Sequence, residues 1–466
     1  MREISIEEFL TFLSSSINRE FTGDPSKILS GKFRFDSRKV GSGDIFIALQ
    51  GENHHGNEFI EDAYANGANL VIANKAIGGS CLVVNDVIEA LSNIAGNWRK
   101  SLPSLKVIGI TGSQGKTTTK EFLFSVLSAQ GETVASAASF NNELGVPLTL
   151  LETQLTTKYC IVEMGARHQG DIAKLAEIAR PDVGVVLKVG LAHLGEFGSQ
   201  EKIAATKAEL IETLSPGAIA ILGRYDEFTP KMRVPTGVEK IFFGQRDGCD
   251  IRAADVEVHG GYAHFDLVTP EGREPVALRV VGEHQISNAL AAAAVAYSFG
   301  IETRHIAASL SAHELQTQGR MEIGEYSDVT VINDSYNANP ESMKAAINTL
   351  ALISQERGGR SWALLGRMNE LGISSFDYHQ ELAKFADQSG IDFLISIGTK
   401  DYLFDDPHSL QIYYCNPATE VEKFFASVEG GDVVLIKASR SEKLEFVSEK
   451  LISHLRSLTI LTEGDR

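Results

Sequence analysis

Cysteine is scarce in this 466-residue chain: Cys81, Cys160, Cys249 and Cys415 stand singly, with no CxxC pair. That excludes a disulfide-built scaffold and a cysteine zinc cluster, and leaves core packing in a reducing compartment. Basic charge is in deficit too, with 43 Lys and Arg against 61 Asp and Glu, a formal net charge of -18. Such a field repels nucleic acid and anionic membrane, so a phosphate-bearing ligand must be held by local basic groups and backbone amides. Long apolar runs are missing as well, and Glu3, Glu7 and Glu8 break up the apolar residues of MREISIEEFLTFL. Neither a membrane span nor a signal peptide is expected, and the protein reads as soluble and cytoplasmic. No solenoid-period repeat or low-complexity tract occurs.

What is present is an ordinary globular composition, 43% hydrophobic and 22% charged, in a chain long enough for about three domains. From residue 107 short β-branched runs alternate with helical patterns: KVIGI, EFLFSVLSAQG, YCIVEMG, DIAKLAEIAR, VGVVLKVG. This alternation predicts a parallel sheet wrapped by helices. Phe122, Leu123, Val126 and Leu127 share one face of the first helix, with Gly131 as its expected C-terminal cap. A smaller α/β set precedes Leu102-Pro103-Ser104. Another follows the alanine-rich helix that ends at Gly300, running through VTVIND, SWALLG, DFLISIG and DVVLIK as a second open α/β sheet. The expected domains are 1–103, 104–315 and 316–466.

The stretch TGSQGKTTTKE, residues 111 to 121, lies between an apolar strand and a helix. A strict P-loop needs Gly, four residues, then Gly-Lys-Ser/Thr, and here Ile110 stands where the first glycine should be. The shorter loop Gly112-Ser113-Gln114-Gly115-Lys116-Thr117-Thr118 keeps the physics of phosphate binding. Glycines let amides approach phosphate oxygens, the helix N-terminus adds partial positive charge, Lys116 neutralises the terminal phosphates and Thr117 can reach a magnesium ion. Glu163 ends the next predicted strand, as a hard-metal ligand or as a cap for the following helix. His193 leaves a strand in a Gly-rich loop; taken alone it is a packed or solvent histidine. Lys207, in the helix EKIAATKAELIETL, reads by itself as a solvated lysine.

Taken together, these segments resemble the Mur ligases, ATP-dependent enzymes of the peptidoglycan peptide stem, over nearly the whole chain. The loop is similar to their short GxxGKT/S loop, which accounts for the two missing residues. SFNNELGVPLTLL (139–151), GRMEI (319–323) and NDSYNANPESM (333–343) resemble the branch that joins D-alanyl-D-alanine to UDP-N-acetylmuramoyl-tripeptide. The resemblance implies a UDP-binding N-terminal α/β domain, a central P-loop ATPase-type sheet and a Rossmann-like C-terminal domain, acting as a monomer. It implies catalytic roles for Lys116, Lys207 and His193, and an ATP cleft completed by Asn288, Arg320, Asp334, Tyr336 and Asn337.

It further implies two magnesium ions near Thr117, Glu163, His193 and Lys207, the last carbamylated by carbon dioxide. Substrate contacts are implied for Ser37 and Arg38 in FDSRKVGSGD, for Asn141 and Asn142, and for Ser439 and Arg440 beside Lys437 in IKASR. The chain departs from the family pattern at Lys188, at Arg367, in GENHHGNEF (51–59) and in LGRYDEF (222–228), which keeps Asp226. Gln114 stands where the family often has Asn, and no role follows for it.

Overall fold

Three large sheets follow one another along the described residues, with a two-stranded antiparallel pair, Ile4–Ser5 with Ile28–Leu29, beside the first. They are seen in a computed structural model that describes residues 3–51, 54–137, 140–314, 319–416 and 418–464. The first unit holds, among the described residues, a five-stranded sheet whose core strands, Ile45–Ile47, Leu70–Ala73 and Cys81–Val84, pair in parallel. Its last helix, Val87–Lys100, starts at Asp86, whose side chain accepts from Ile88 N at 2.8 Å and Glu89 N at 3.0 Å. This is the N-cap that an Asp before an apolar-periodic run provides.

That helix also packs on the second unit. Trp98 is buried and its Nε1 donates to Thr153 Oγ1 at 3.1 Å, and Arg99 Nη2 donates to Asp182 Oδ2 at 2.9 Å. An indole of this kind buries about 150–250 Å², roughly 4–6 kcal/mol before entropy. One hydrophobic cluster therefore runs from Ile4 through Trp98 to Leu210, across the expected division at residue 103.

The second sheet has nine strands among the described residues. Its centre is parallel: Lys106–Thr111 lies between Tyr159–Glu163 and Val183–Val186, with Ile110 opposite Glu163 and Thr111 opposite Val186. Strand order reverses beside Lys106–Thr111, the position at which open α/β sheets hold ligands at their carboxyl ends. The helix after the loop, Lys116–Ser128, buries Phe122, Leu123, Val126 and Leu127 as the pattern requires. It stops at Ser128, short of Gly131. The amides of Gln130 and Gly131 both turn back on Leu127 O, and Gly131 takes no left-handed conformation, so it is not the cap expected. Beyond Glu239–Gly244 the sheet continues into an antiparallel extension, Ile251–His259, Tyr262–Thr269 and Gly272–Val281, which the strand–helix alternation does not anticipate.

The third large sheet, of six strands among the described residues, is parallel except for Glu322–Tyr326 at one edge. Its helix Pro340–Arg357 is capped by Asn339, which accepts from Ser342 N at 2.9 Å, and has proline at its start. The expected division at 315 falls between the second and third sheets, at a residue outside those described. Cys81, Cys160 and Cys415 are buried and Cys249 half-buried, all as free thiols. No helix among the described residues is long and apolar enough to cross a membrane.

Candidate active site

The carboxyl ends of the central strands open into a cleft of about 1850 Å³. A single drug-sized ligand needs about 300–1,000 Å³, so the cleft has room for more than one substrate. Its wall runs from Asp86 and Glu89 of the first unit, past the glycine loop, to Lys437 and Arg440 of the third.

Gly115 forms the floor. Its φ of +81° is left-handed, and a Cβ there would meet Asn288 Oδ1 at 2.1 Å, so both conformation and space demand glycine. Ser113 ties the loop to the neighbouring strand end, its N donating to Lys188 O at 2.9 Å and its Oγ accepting from Gly190 N at 2.8 Å. Lys116 Nζ donates to Gly112 O at 2.7 Å. Burial lowers its pKa, Glu163 opposing the shift and Arg320 adding to it. Thr117 Oγ1 donates to Glu163 Oε2 at 3.3 Å and accepts from Arg320 Nη2, which reaches it from the third unit, at 3.2 Å.

Glu163 is fully buried. Its Oε1 accepts no hydrogen bond among the described residues and faces Lys120 Nζ at 3.1 Å. The alternative reading of Glu163 as a helix cap fails, because the next helix begins only at Asp171, with Gly170 as its N-cap. Lys207 is 8% exposed, which overturns its reading as a solvated lysine. Burial first, then the charge of Lys116, pushes its amine down to about 7. His193 adopts φ +61° and brings Nδ1 to 2.5 Å from Glu370 Oε2 of the third unit. Its pKa is lowered, by burial first, against Glu370 and with the charges of Lys116 and Lys207.

Asn288 is buried in the first turn of Gln285–Ser298, held by its own Nδ2 to Gln285 Oε1 at 2.7 Å. Arg320 stacks over Tyr336 with its guanidinium 3.9 Å from the ring centre. Asp334 Oδ2 pairs with Lys437 Nζ at 2.5 Å, and Lys437 also donates to Asn337 O at 2.7 Å.

Gly112, Thr118, Asn141, Asn142 and Arg440 line the same cleft. Three expected residues do not. Ser37 is buried in the turn Ser37–Lys39, Arg38 is exposed and paired with Asp36, and Ser439 is buried, its Oγ accepting from Asn369 N at 2.8 Å. Lys120 and Glu370 belong to the site without having been expected there. Lys120 follows Lys116 by one helical turn, which puts both amines on one side of the helix. Glu370 carries no local signal. Asp226, kept from the family pattern, nucleates its own loop, accepting from Val189 N at 2.9 Å and from Phe228 N and Thr229 N at 2.7 Å each.

Comparison with known proteins agrees with this arrangement. Residues 33–97 match the Mur ligase family catalytic domain, 110–296 the Mur ligase middle domain and 319–440 the Mur ligase, glutamate ligase domain. The UDP-N-acetylmuramoyl-tripeptide–D-alanyl-D-alanine ligase of Mycobacterium tuberculosis H37Rv is 36% identical, covering 91% of this chain and 92% of its own. A crystal structure of MurF from Acinetobacter baumannii superposes with a TM-score of 0.88 at 30% identity, over 97% of this chain and 99% of that one. MurF ligase from Thermotoga maritima in complex with ADP does so with a TM-score of 0.80 at 30% identity, over 92% and 99%. Three α/β units, a short glycine loop and a cleft lined by all three of them, with family matches over 33–97, 110–296 and 319–440, make this chain a member of the Mur ligase family.

Proposed function

We propose that this protein is an ATP-dependent, ADP-forming ligase that joins D-alanyl-D-alanine to UDP-N-acetylmuramoyl-tripeptide, yielding the UDP-linked pentapeptide. The observation that carries the reading is the meeting of Lys116, Thr117 and Glu163 on the central sheet with Arg320 of the third unit, Arg320 to Thr117 at 3.2 Å. A phosphate-holding loop is thereby closed from the side that resembles the dipeptide half of the family. The curated relative that covers nine-tenths of the chain is named for this reaction.

A carboxylate and an amine do not condense in neutral water, because hydroxide is a poor leaving group. A carboxylate oxygen of the tripeptide attacks the γ-phosphorus of ATP in line, and the bond to the ADP oxygen breaks. Lys116, released from Gly112 O, neutralises the phosphate oxygens as charge builds. The dipeptide amine then adds to the acyl phosphate carbon, the tetrahedral intermediate expels phosphate, and the amine proton leaves with it. Holding three reactants in a closed cleft supplies up to about 7–11 kcal/mol of the barrier through orientation alone.

The donor set fits magnesium. Glu163 offers a buried carboxylate whose Oε1 is paired with Lys120 Nζ and whose Oε2 lies beside the hydroxyl of Thr117, and hard cations take such oxygens with phosphate. Bound there, magnesium would screen phosphate charge. Lys207 completes the set when carbamylated: a buried amine near neutrality is in the form that adds to carbon dioxide, and the product is an anionic oxygen donor. Turnover lost in carbon-dioxide-depleted buffer and restored by bicarbonate supports this role; turnover indifferent to both sets it aside. We assign the adenine to Asn288 and the UDP-substrate to Asn141 and Asn142, a reading supported by the presence of all three in the wall of the same cleft. We assign the enzyme to the cytoplasm, where ATP and nucleotide-linked precursors are available, as a monomer with its domains divided near 103 and 315.

The test is a phosphate-release matrix: protein, ATP, magnesium, UDP-N-acetylmuramoyl-tripeptide and D-alanyl-D-alanine, each omitted in turn. Sustained release requires every component. Steady release without the dipeptide counts against the assignment, and no release with all components present favours a nucleotide-binding regulator.

A further inference from the structure

Gln114 is the residue of the nucleotide loop to which phosphate chemistry gives no task, and its side chain is bonded to the third unit. Its Nε2 donates to Glu341 Oε2 at 2.6 Å and to Asn339 Oδ1 at 3.1 Å. Both acceptors sit at the N-terminus of helix Pro340–Arg357 in the third unit, more than 220 residues along the chain. Asn339 Oδ1 is already the cap acceptor for Ser342 N, so the glutamine amide extends an existing cap.

Glu341 does more than meet Gln114. Its Oε2 also accepts from Leu191 N at 3.3 Å, and its carboxylate oxygens lie 2.3 and 2.6 Å from where a Cβ on Gly190 would stand. Glycine is what lets the carboxylate come this close to the chain. Gly190 N in turn donates to Ser113 Oγ at 2.8 Å. One carboxylate of the third unit thus touches two central loops at once: the loop that holds phosphate and the loop that, two residues beyond Leu191, carries His193. A carboxylate in the first turn of a helix is favoured there by the helix dipole whether or not the contact is made. Both partners are half-buried, so water has access to the contact.

We propose that Gln114 and Glu341 are a positioning pair for the ligase reaction, seating the third unit on the nucleotide loop so that Arg320 and the dipeptide side of the cleft align with the phosphate site. Neither residue touches the reacting atoms. The proposal rests on the ligase reading, and its test uses the full chain with ATP, magnesium, UDP-N-acetylmuramoyl-tripeptide and D-alanyl-D-alanine.

Gln114→Ala, Glu341→Ala, their double variant and Glu341→Gln are compared for kcat, KM of the dipeptide and affinity for ADP measured by calorimetry without peptides. Each alanine variant is expected to lower kcat about tenfold, about 1.4 kcal/mol of barrier, and the double variant to fall no further than the worse single. Glu341→Gln, which keeps an acceptor oxygen, is expected to retain most of the rate, and ADP affinity of Glu341→Ala to stay within twofold. Additive losses, a Glu341→Gln variant as poor as Glu341→Ala, or an ADP affinity that falls as far as kcat would each overturn the pairing. Gln114→Ala removes the contact without disturbing the helix start, so an unchanged kcat in that variant overturns it even where Glu341→Ala does not fold. ADP formation absent from the unaltered chain would instead break the ligase reading, a distinguishable failure.

Discussion

Two loops face each other across the cleft, each leaving the end of a parallel strand, and they are built by opposite means. The central loop, 112–115, relies first on backbone geometry, Gly115 being left-handed with no room for a Cβ, and its side chains Ser113 and Gln114 bond outward to Gly190, Asn339 and Glu341. The facing loop, 334–339, relies on side chains. Asp334 pairs with Lys437 and accepts from Met321 N at 3.1 Å, Ser335 Oγ donates to Asn333 Oδ1 at 2.7 Å, and Asn339 caps its helix. A loop that must offer N–H groups to phosphate cannot spend side chains covering them. A loop that must hold Tyr336 under Arg320 can be fixed by side chains of its own unit, and is.

The contrast can be broken first where side chains do the holding. Asp334→Ala leaves Lys437 buried without its charge partner, and is expected to cost about 3–5 kcal/mol in urea unfolding; a loss under 1 kcal/mol would make the pair ornamental. On the central side, Lys116→Ala should lower ADP formation by about 10²–10³-fold, the range for one lost charge-stabilising group. Binding of the UDP-substrate should change by less than twofold, and folding stability should not fall, since a buried amine is removed. Undiminished turnover would remove the loop from the mechanism.

A finer comparison uses two left-handed glycines. Gly358, the C-terminal cap of Pro340–Arg357, has φ +72° and nothing within 4 Å of the point where a Cβ would stand, whereas Gly115 has Asn288 in the way. Gly358→Ala is expected to cost about 1–2 kcal/mol from conformation alone and leave ADP affinity intact. Gly115→Ala should cost more in a thermal melt and lose ADP affinity as well; equal effects would deny the central loop its special geometry.

The smallest effect concerns the far side of the third unit. Burial raises the pKa of Asp387, but the amides of His408, Ser409 and Leu410 and the His408 side chain outweigh it and bring the carboxyl down to about 2. A depressed carboxyl contributes stability that is present above the unfolded value near 3.9 and lost as pH falls toward 2. Asp387→Asn should therefore flatten the acid limb of the stability curve below pH 4 and leave the cleft's nucleotide affinity unchanged at neutral pH.

Much of this site is legible along the chain because its parts are local. Gly115 to Thr117 are contiguous, Glu163 ends a strand whose β-branched run announces it, and the buried face of Lys116–Ser128 follows helical spacing. Lys207 is a different case. Its helix buries Ile203, Leu210 and Ile211 in three separate clusters, so no single apolar stripe marks which face is solvent, and the lysine reads as exposed until the neighbours are in place. Ser37 and Arg38 show the reverse: the motif is recognisable, yet the hydroxyl is buried and the guanidinium is folded onto Asp36.

By itself the sequence determined the class of fold, the phosphate loop and the identity of the groups that could meet a nucleotide, because strand and helix periodicity, glycine placement and strand-end position are properties of adjacent residues. Tertiary structure alone decided that Glu370 stands at His193, that Arg320 reaches Thr117, and that Gln114 finds Glu341. Those partners lie 177 to 227 positions apart, and a contact across such a separation leaves no trace in any local pattern; it exists only once the three units have packed around one cleft.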